Sequence, residues 1–135
     1  MLDPEKSTTR QSLYARLGGY DGIARFVHEL MRSLRADPKL GIYWKGISLD
    51  SRRRGDKLLV DFVCAAFEGP VEYTGRDMKI SHEGLGITEG EWDMFLAHTA
   101  ACLDAVGIAE RDKSEFMECA AGLKSEIVEA QRPSV

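Results

Sequence analysis

The chain has 135 residues, 44% hydrophobic and 30% charged, enough to bury one core without disulfides or a structural metal. Its net charge of −4 and pI near 5.4 argue against a nucleic-acid binder, which would normally show a basic face. No run of about 18 apolar residues is present, which excludes a membrane-spanning helix.

Residues 1 to 11 are polar and contain Pro4. They read as a loose tail rather than a signal peptide. Leu13, Tyr14 and Leu17 predict a short helix, stopped by Gly18 and Gly19. Asp21 is placed to cap a long helix. Along it Ile23, Phe26, Val27, Leu30, Met31 and Leu34 form one apolar stripe. Asp37-Pro38 ends that helix. Residues 39 to 47 (KLGIYWKGI) look like an aromatic corner. Asp50 or Ser51 then caps a helix running to about Phe67. Its second half, LLVDFVCAAF (58 to 67), has Asp61 as its one polar residue. A helix apolar all round must be covered on several sides, by other helices or by an apolar ligand. The run Arg52-Arg53-Arg54 at its start reads as a solvated face.

Glu68-Gly69-Pro70 stops this helix, and a loop (VEYTGRD) leads to a short helix over Met78–Glu83. Thr88 with Glu91 three residues on predicts a capping box. It opens a helix that carries Trp92, Phe95, Leu96, Thr99, Cys102, Leu103 and Val106 and ends at Gly107. The last helix runs from about Glu110 to Ala130 through Phe116, Met117, Ala120, Leu123, Ile127 and Val128. Residues 131 to 135 are tail. No segment alternates with period two and no repeat occurs. The expectation is one all-α domain over residues 12 to 130, with four substantial helices and two or three short ones.

The three cysteines, Cys64, Cys102 and Cys119, are far apart and form no CxxC pair. Each lies in an apolar helical run and reads as a small buried hydrophobe, which places the chain in the cytoplasm. Among the histidines, His28 lies off the centre of its stripe and His98 on a helix flank. Neither has a partner at i+3 or i+4 that would make a closed zinc site. His82 differs. Its helix is about two turns long, hung between Gly75 and Gly84, with Met78 one turn before it and Leu85 and Ile87 after it. Two readings stay open from spacing: an ordinary loop histidine, or an imidazole pushed into an apolar slot as an axial ligand to iron. Acid–base work would need a polar partner instead.

Three segments, LYARLGGYDGI (13 to 23), RADPKLGIYW (35 to 44) and YTGRDMKISHEGLGIT (73 to 88), resemble the truncated haemoglobins, and more narrowly their group I branch. The resemblance covers about residues 12 to 130. It implies a two-over-two α-helical sandwich around one haem b. His82 then matches the proximal histidine, with its other ring nitrogen donating to a backbone carbonyl. Met78, Ile87, Trp92, Phe95 and Met117 match positions that line the haem. The helix at 58 to 67 matches the element over its distal face. Tyr73, Arg76 and Lys79 lie on the loop at the haem edge, where a cation or phenol can meet a propionate or simply face solvent.

The departures concern the distal side. The tyrosine that many group I members use to hold oxygen aligns with Met31. The distal glutamine aligns with Leu59, and the more exposed gate position with about Gly55. Leu58 and Val63 add apolar surface, and Val63 replaces bulkier residues, which would widen a gas path. The corner phenylalanine aligns with Trp44, preceded by Tyr43; these two are the nearby side chains with polar tips. A hydrogen bond to a charged group is worth about 1.5–3 kcal/mol. Without such a donor, oxygen is expected to leave faster and the haem to autoxidise more readily, with CO and NO relatively favoured. Met31, or with a shift of register Lys57, would make a six-coordinate electron-transfer haem if it reached the iron. The expected function is a binder of O2, CO or NO. A nitric-oxide dioxygenase or weak peroxidase served by a separate reductase is the competing reading, and a protein that has lost haem a third.

Overall fold

The computed structural model describes residues 11 to 129. Apart from Gln11, the expected tails lie outside that range, as does Ala130 at the expected end of the last helix. Seven α-helices and one 3-10 turn occur among the described residues: α1 Leu13–Arg16, α2 Gly19–Ala36, the 3-10 turn Gly41–Trp44, α3 Leu49–Ala66, α4 Met78–His82, α5 Glu89–Ala105, α6 Glu110–Ala121 and α7 Lys124–Ile127.

The apolar stripe of α2 is buried at every position named from its spacing, Ile23, Phe26, Val27, Leu30, Met31 and Leu34. It packs on α3 and on α5, while α6 packs on α5 and α4 on α7. Two long helix pairs, α2 with α3 and α5 with α6, thus meet through α2 and α5. The apolar half of α3 divides its labour. Val60, Val63 and Cys64 are buried, and Asp61 reaches out of the core to Lys57 at 3.0 Å.

Caps differ from expectation in detail. Gly18, in the left-handed region at φ 99°, precedes α2, and Asp21 sits inside its first turn. Ser48, not Asp50 or Ser51, caps α3 by accepting from the Ser51 amide. The capping box of Thr88 and Glu91 is formed, with both reciprocal bonds at 3.0 Å. The expected last helix is broken: α6 ends at Ala121 and α7 restarts at Lys124, because glycine at 122 weakens a helix already short of capping side chains. The third cysteine departs as well. Cys64 and Cys102 are buried, but Cys119 is exposed.

Glu68, after α3, has φ 71°, the one non-glycine residue in the left-handed region among the described residues. An L side chain there costs about 1–2 kcal/mol, and glycine returns part of it as unfolded-state entropy. Glu68→Gly is therefore expected to stabilise by about 0.5–1 kcal/mol and raise Tm by a few degrees in thermal unfolding. An unchanged or lower Tm would show that Glu68 makes a compensating contact.

Candidate functional site

One large cavity of about 800 Å³ opens between the helix pairs, within the roughly 300–1,000 Å³ typical of ligand and cofactor sites. Its wall is mainly apolar. Met31, Leu58, Leu59 and Val63 come from α2 and α3; Met78, Ile87, Trp92 and Phe95 come from α4, the loop after it and α5. Trp92 and Phe95 stack, with ring centroids 5.2 Å apart. Tyr43, Trp44, Gly55, Tyr73 and Arg76 also line it. The structure thus brings together all but two of the site residues expected from sequence. Lys79 is not part of the wall. Nor is Met117, which packs half-buried against the core. On α6 the wall is made by Phe116, Cys119 and Ala120, which share one face of the helix, with Met117 rotated off its edge.

His82 stands in this wall with its ring fixed. Its Nδ1 lies 2.8 Å from the Met78 carbonyl oxygen, one turn back. A carbonyl only accepts, so Nδ1 carries the proton and Nε2 keeps its lone pair. Ser81 Oγ, 3.1 Å from Nδ1, donates to the same carbonyl at 3.2 Å. No hydrogen bond to Nε2 occurs among the described residues. An imidazole so oriented, facing an apolar slot, has the donor chemistry of a single metal ligand.

Local backbone explains how His82 gets there. Asp77 caps α4 by accepting from the Lys79 amide at 2.7 Å. After His82 the chain turns through Gly84 (φ 87°) and Gly86 (φ 69°), conformations open to glycine. The two glycine amides then donate to one carboxylate, that of Glu129, at 2.9 and 2.8 Å. The Glu129 amide donates back to the Ile87 carbonyl at 3.1 Å. Sequence reasoning missed this clamp. Its members are over forty residues apart, and no local pattern marks Glu129.

The polar tips of the wall are mostly committed. The Tyr43 hydroxyl donates to Glu91 Oε1 at 2.7 Å. Burial and the Glu91 carboxylate push the Tyr43 phenol up to about 12, so it keeps its proton for that bond at ordinary pH. Burial pushes the Glu91 carboxyl up, but the Thr88 backbone, the Tyr43 phenol and the Thr88 side chain outweigh it and hold the group below its usual value. Glu91 itself lines the cavity; the sequence marked it only as a cap. Trp44 is held by the Arg35 guanidinium, 5.9 Å from its ring centroid, and Arg35 is clamped by both oxygens of Asp56. Tyr73 donates to the Arg76 carbonyl at 2.5 Å. Thr99, buried in the wall, donates to the Phe95 carbonyl at 2.8 Å.

The other histidines lie elsewhere. His28 is exposed. His98 bridges Ser33 (2.6 Å) and Asp37 (2.8 Å), joining α5 to the end of α2. Among the described residues no group of three or more His, Cys, Asp or Glu is arranged to hold a metal ion. No helix among them is long and apolar enough to cross a membrane.

An all-helical shell around a large apolar slot, with one tautomer-fixed imidazole in its wall, has the size and donor chemistry of a cofactor site. Residues 12–129 match the family model of the bacterial-like globins, and the chain belongs to that family, in its truncated haemoglobin group 1. A group 1 truncated hemoglobin of Mycolicibacterium paratuberculosis is 32% identical over 92% of this chain and 89% of its own length. One of Nostoc sp. is 27% identical over 87% and 97%. In fold, the chain is similar to the Fe(III) form of truncated hemoglobin from Tetrahymena pyriformis, with a TM-score of 0.79 at 22% identity over 87% of this chain and 98% of that one. It is also similar to the 2/2 hemoglobin of Synechococcus sp., with a TM-score of 0.76 at 20% identity over 86% and 95%. Membership of this family implies haem-based gas binding.

The clamp yields a test. Glu129→Ala frees both glycine amides and loosens the turn that aims His82. Haem loss from the reconstituted protein is expected to quicken by roughly tenfold, the scale of outer-shell effects at metal sites. Glu129→Gln keeps one acceptor oxygen and should fall between. Equal haem-loss rates in all three proteins would show that α4 holds His82 unaided.

Proposed function

We propose that the chain binds one haem b in the cavity, with His82 as proximal ligand, and takes up diatomic gas against the wall formed by α2 and α3. The observation that carries this reading is the pairing of His82 Nδ1 with the Met78 carbonyl, which leaves Nε2 directed by elimination to an apolar cavity of about 800 Å³. When bound, the haem supplies the iron at which gas and electrons are exchanged. The chain supplies everything else. His82 holds and orients, Met31, Leu58, Leu59 and Val63 exclude water, and Arg76 offers a cation to a propionate at the slot's edge.

The distal wall decides which gas is held. Met31 is 7% exposed and carries no hydrogen-bond donor. Leu59 offers none either, and the Tyr43 proton is engaged by Glu91, which leaves the Trp44 indole N–H as a remaining donor candidate in the wall. A gas that leans on a donated hydrogen bond, as oxygen does, is therefore held briefly, while CO and NO lose little. Lys57 is not in the wall and pairs with Asp61, which argues against its serving as an internal ligand. Met31 is in the wall and remains the alternative sixth ligand. Three free thiols fit a reducing compartment, so we place the protein in the cytoplasm.

Two measurements test this reading. The first is the optical spectrum of the haem-reconstituted protein, ferric and ferrous, beside His82→Ala. Five-coordinate ferrous haem in the wild type, lost or loosened in the variant, is the expected result. A six-coordinate ferrous form would replace the open gas site with an internal ligand, and a protein that takes up no haem would sink the reading. The second is the oxygen dissociation rate of wild type and Met31→Tyr. Adding a phenol at this position is expected to slow release by about ten- to hundredfold, the equivalent of one charge-assisted hydrogen bond. Equal rates would mean that another donor already serves the site.

A further inference from the structure

The corner that closes the cavity carries charge out of keeping with the rest of the molecule. Residues 39 to 57 hold six cations, Lys39, Lys45, Arg52, Arg53, Arg54 and Lys57, against two aspartates, Asp50 and Asp56, in a chain of net charge −4. Lys45, Arg52, Arg53 and Arg54 make no ion pair among the described residues. Arg52 instead leans on the Trp44 carbonyl at 3.5 Å, which ties the corner to the start of α3. Leu49, Arg53 and Lys57, spaced four apart, share one exposed side of α3.

Apolar side chains stand among these cations. Ile42 is 51% exposed, Leu49 59% and Ile47 38%. Three exposed aliphatics within eight residues, ringed by unpaired cations, make a small apolar centre with a basic rim, the anatomy of a protein–protein contact. This surface also borders the cavity. Gly55 is exposed and lies in the cavity wall, and a Cβ built on it would meet nothing within 4 Å. The slot therefore opens within the basic patch, with Tyr43, Trp44 and Leu58 just inside.

We infer that this face docks an acidic one-electron carrier protein, which reduces the haem across the Gly55 mouth. The inference rests on the haem reading above. A distal wall with Met31 and Leu59 where a donor would stand exposes the bound cofactor to oxidation, and the ferric form must be returned to the ferrous one. The step is a single electron transfer: the reduced carrier loses one electron and Fe(III) becomes Fe(II), with no bond made or broken. A basic rim steers an acidic partner to the Gly55 side of the slot, where the cavity wall reaches the surface, and the three aliphatics give the encounter a dry centre. An anionic membrane is the weaker occupant, because the apolar residues sit on a corner rather than along the face of an amphipathic helix.

The test uses the haem-loaded protein and an acidic plant-type [2Fe–2S] ferredoxin as probe. Calorimetry measures affinity for the oxidised ferredoxin. Stopped-flow absorbance measures reduction of the ferric haem by the reduced one, both across a range of ionic strength. Affinity and rate are expected to fall with salt, and to fall about tenfold or more in Arg53→Glu/Arg54→Glu at low salt. Leu49→Ser should weaken binding without changing the salt slope. Reduction by photoreduced 5-deazariboflavin, which is small and uncharged, should be the same in all three proteins. Salt-independent binding, or an unaltered double variant, overturns the proposal. So does capture of wild type but not of the double variant by phosphatidylserine vesicles when ferredoxin fails to bind. Absence of a Soret band after reconstitution refutes the haem reading by itself, and calorimetry still reports on the patch.

Discussion

A hollow of about 800 Å³ is the constraint around which the rest of this molecule is arranged. Protein interiors pack as densely as organic crystals. An enclosed empty cavity costs about 24 cal/mol per Å³, so every 100 Å³ of this hollow closed off and left dry would cost about 2.4 kcal/mol, a large share of the roughly 5–15 kcal/mol that holds a typical domain together. Water is a poor filler, because Met31, Leu58, Leu59, Val63 and Phe95 offer it no partners. The hollow is thus better suited to an apolar occupant, such as the haem that family membership implies, than to water. Without one, the chain must flood or close up. The same argument explains the second half of α3, apolar on nearly every side: one face meets the helices, and the other lines the cavity.

His82 is set into that wall by backbone geometry rather than by bulk. α4 is five residues long, too short to be stable alone. It is pinned at its start by Asp77 and at its end by two left-handed glycines whose amides share the Glu129 carboxylate. The Met78 carbonyl then settles the tautomer. Five residues, Asp77, Met78, Gly84, Gly86 and Glu129, thus fix the orientation of one imidazole. Glu91 plays a similar part on the other side. It completes a helix cap by accepting from the Thr88 amide and also accepts the hydrogen bond of the Tyr43 hydroxyl, so that phenol is already engaged within the wall.

How much of this was legible in the sequence follows from the range of the interactions. The α2 stripe, the Thr88 capping box and the short helix bearing His82 depend on neighbours within one or two turns, and each is where spacing put it. Met117 was not legible, because the choice between it and Phe116 or Cys119 is set by how α6 rolls against α5, and a one-residue step rotates a side chain by 100° about the helix axis. The break at Gly122 was within reach: a glycine late in an uncapped helix is a known weak point. Glu129 and the Tyr43–Glu91 pair were beyond it, since each joins residues more than forty positions apart and the types involved are common on any surface.

The corner between α2 and α3 joins these themes. It sits on Arg35, which holds Trp44 by its face and Asp56 by its fork, so the end of α2, the aromatic corner and the start of α3 move as one piece. That piece forms part of the distal wall on its inner side and bears the cations and exposed aliphatics on its outer side. A partner pressing on Leu49 and Arg53 thus presses on the element that holds Tyr43 and Trp44 against the cavity. On the proposed reading, Met31 and Leu59 give bound oxygen no hydrogen bond, which would leave the haem prone to oxidation. Electron entry on the back of that same wall, as inferred above, would put the remedy for its weakness at the site where the weakness arises.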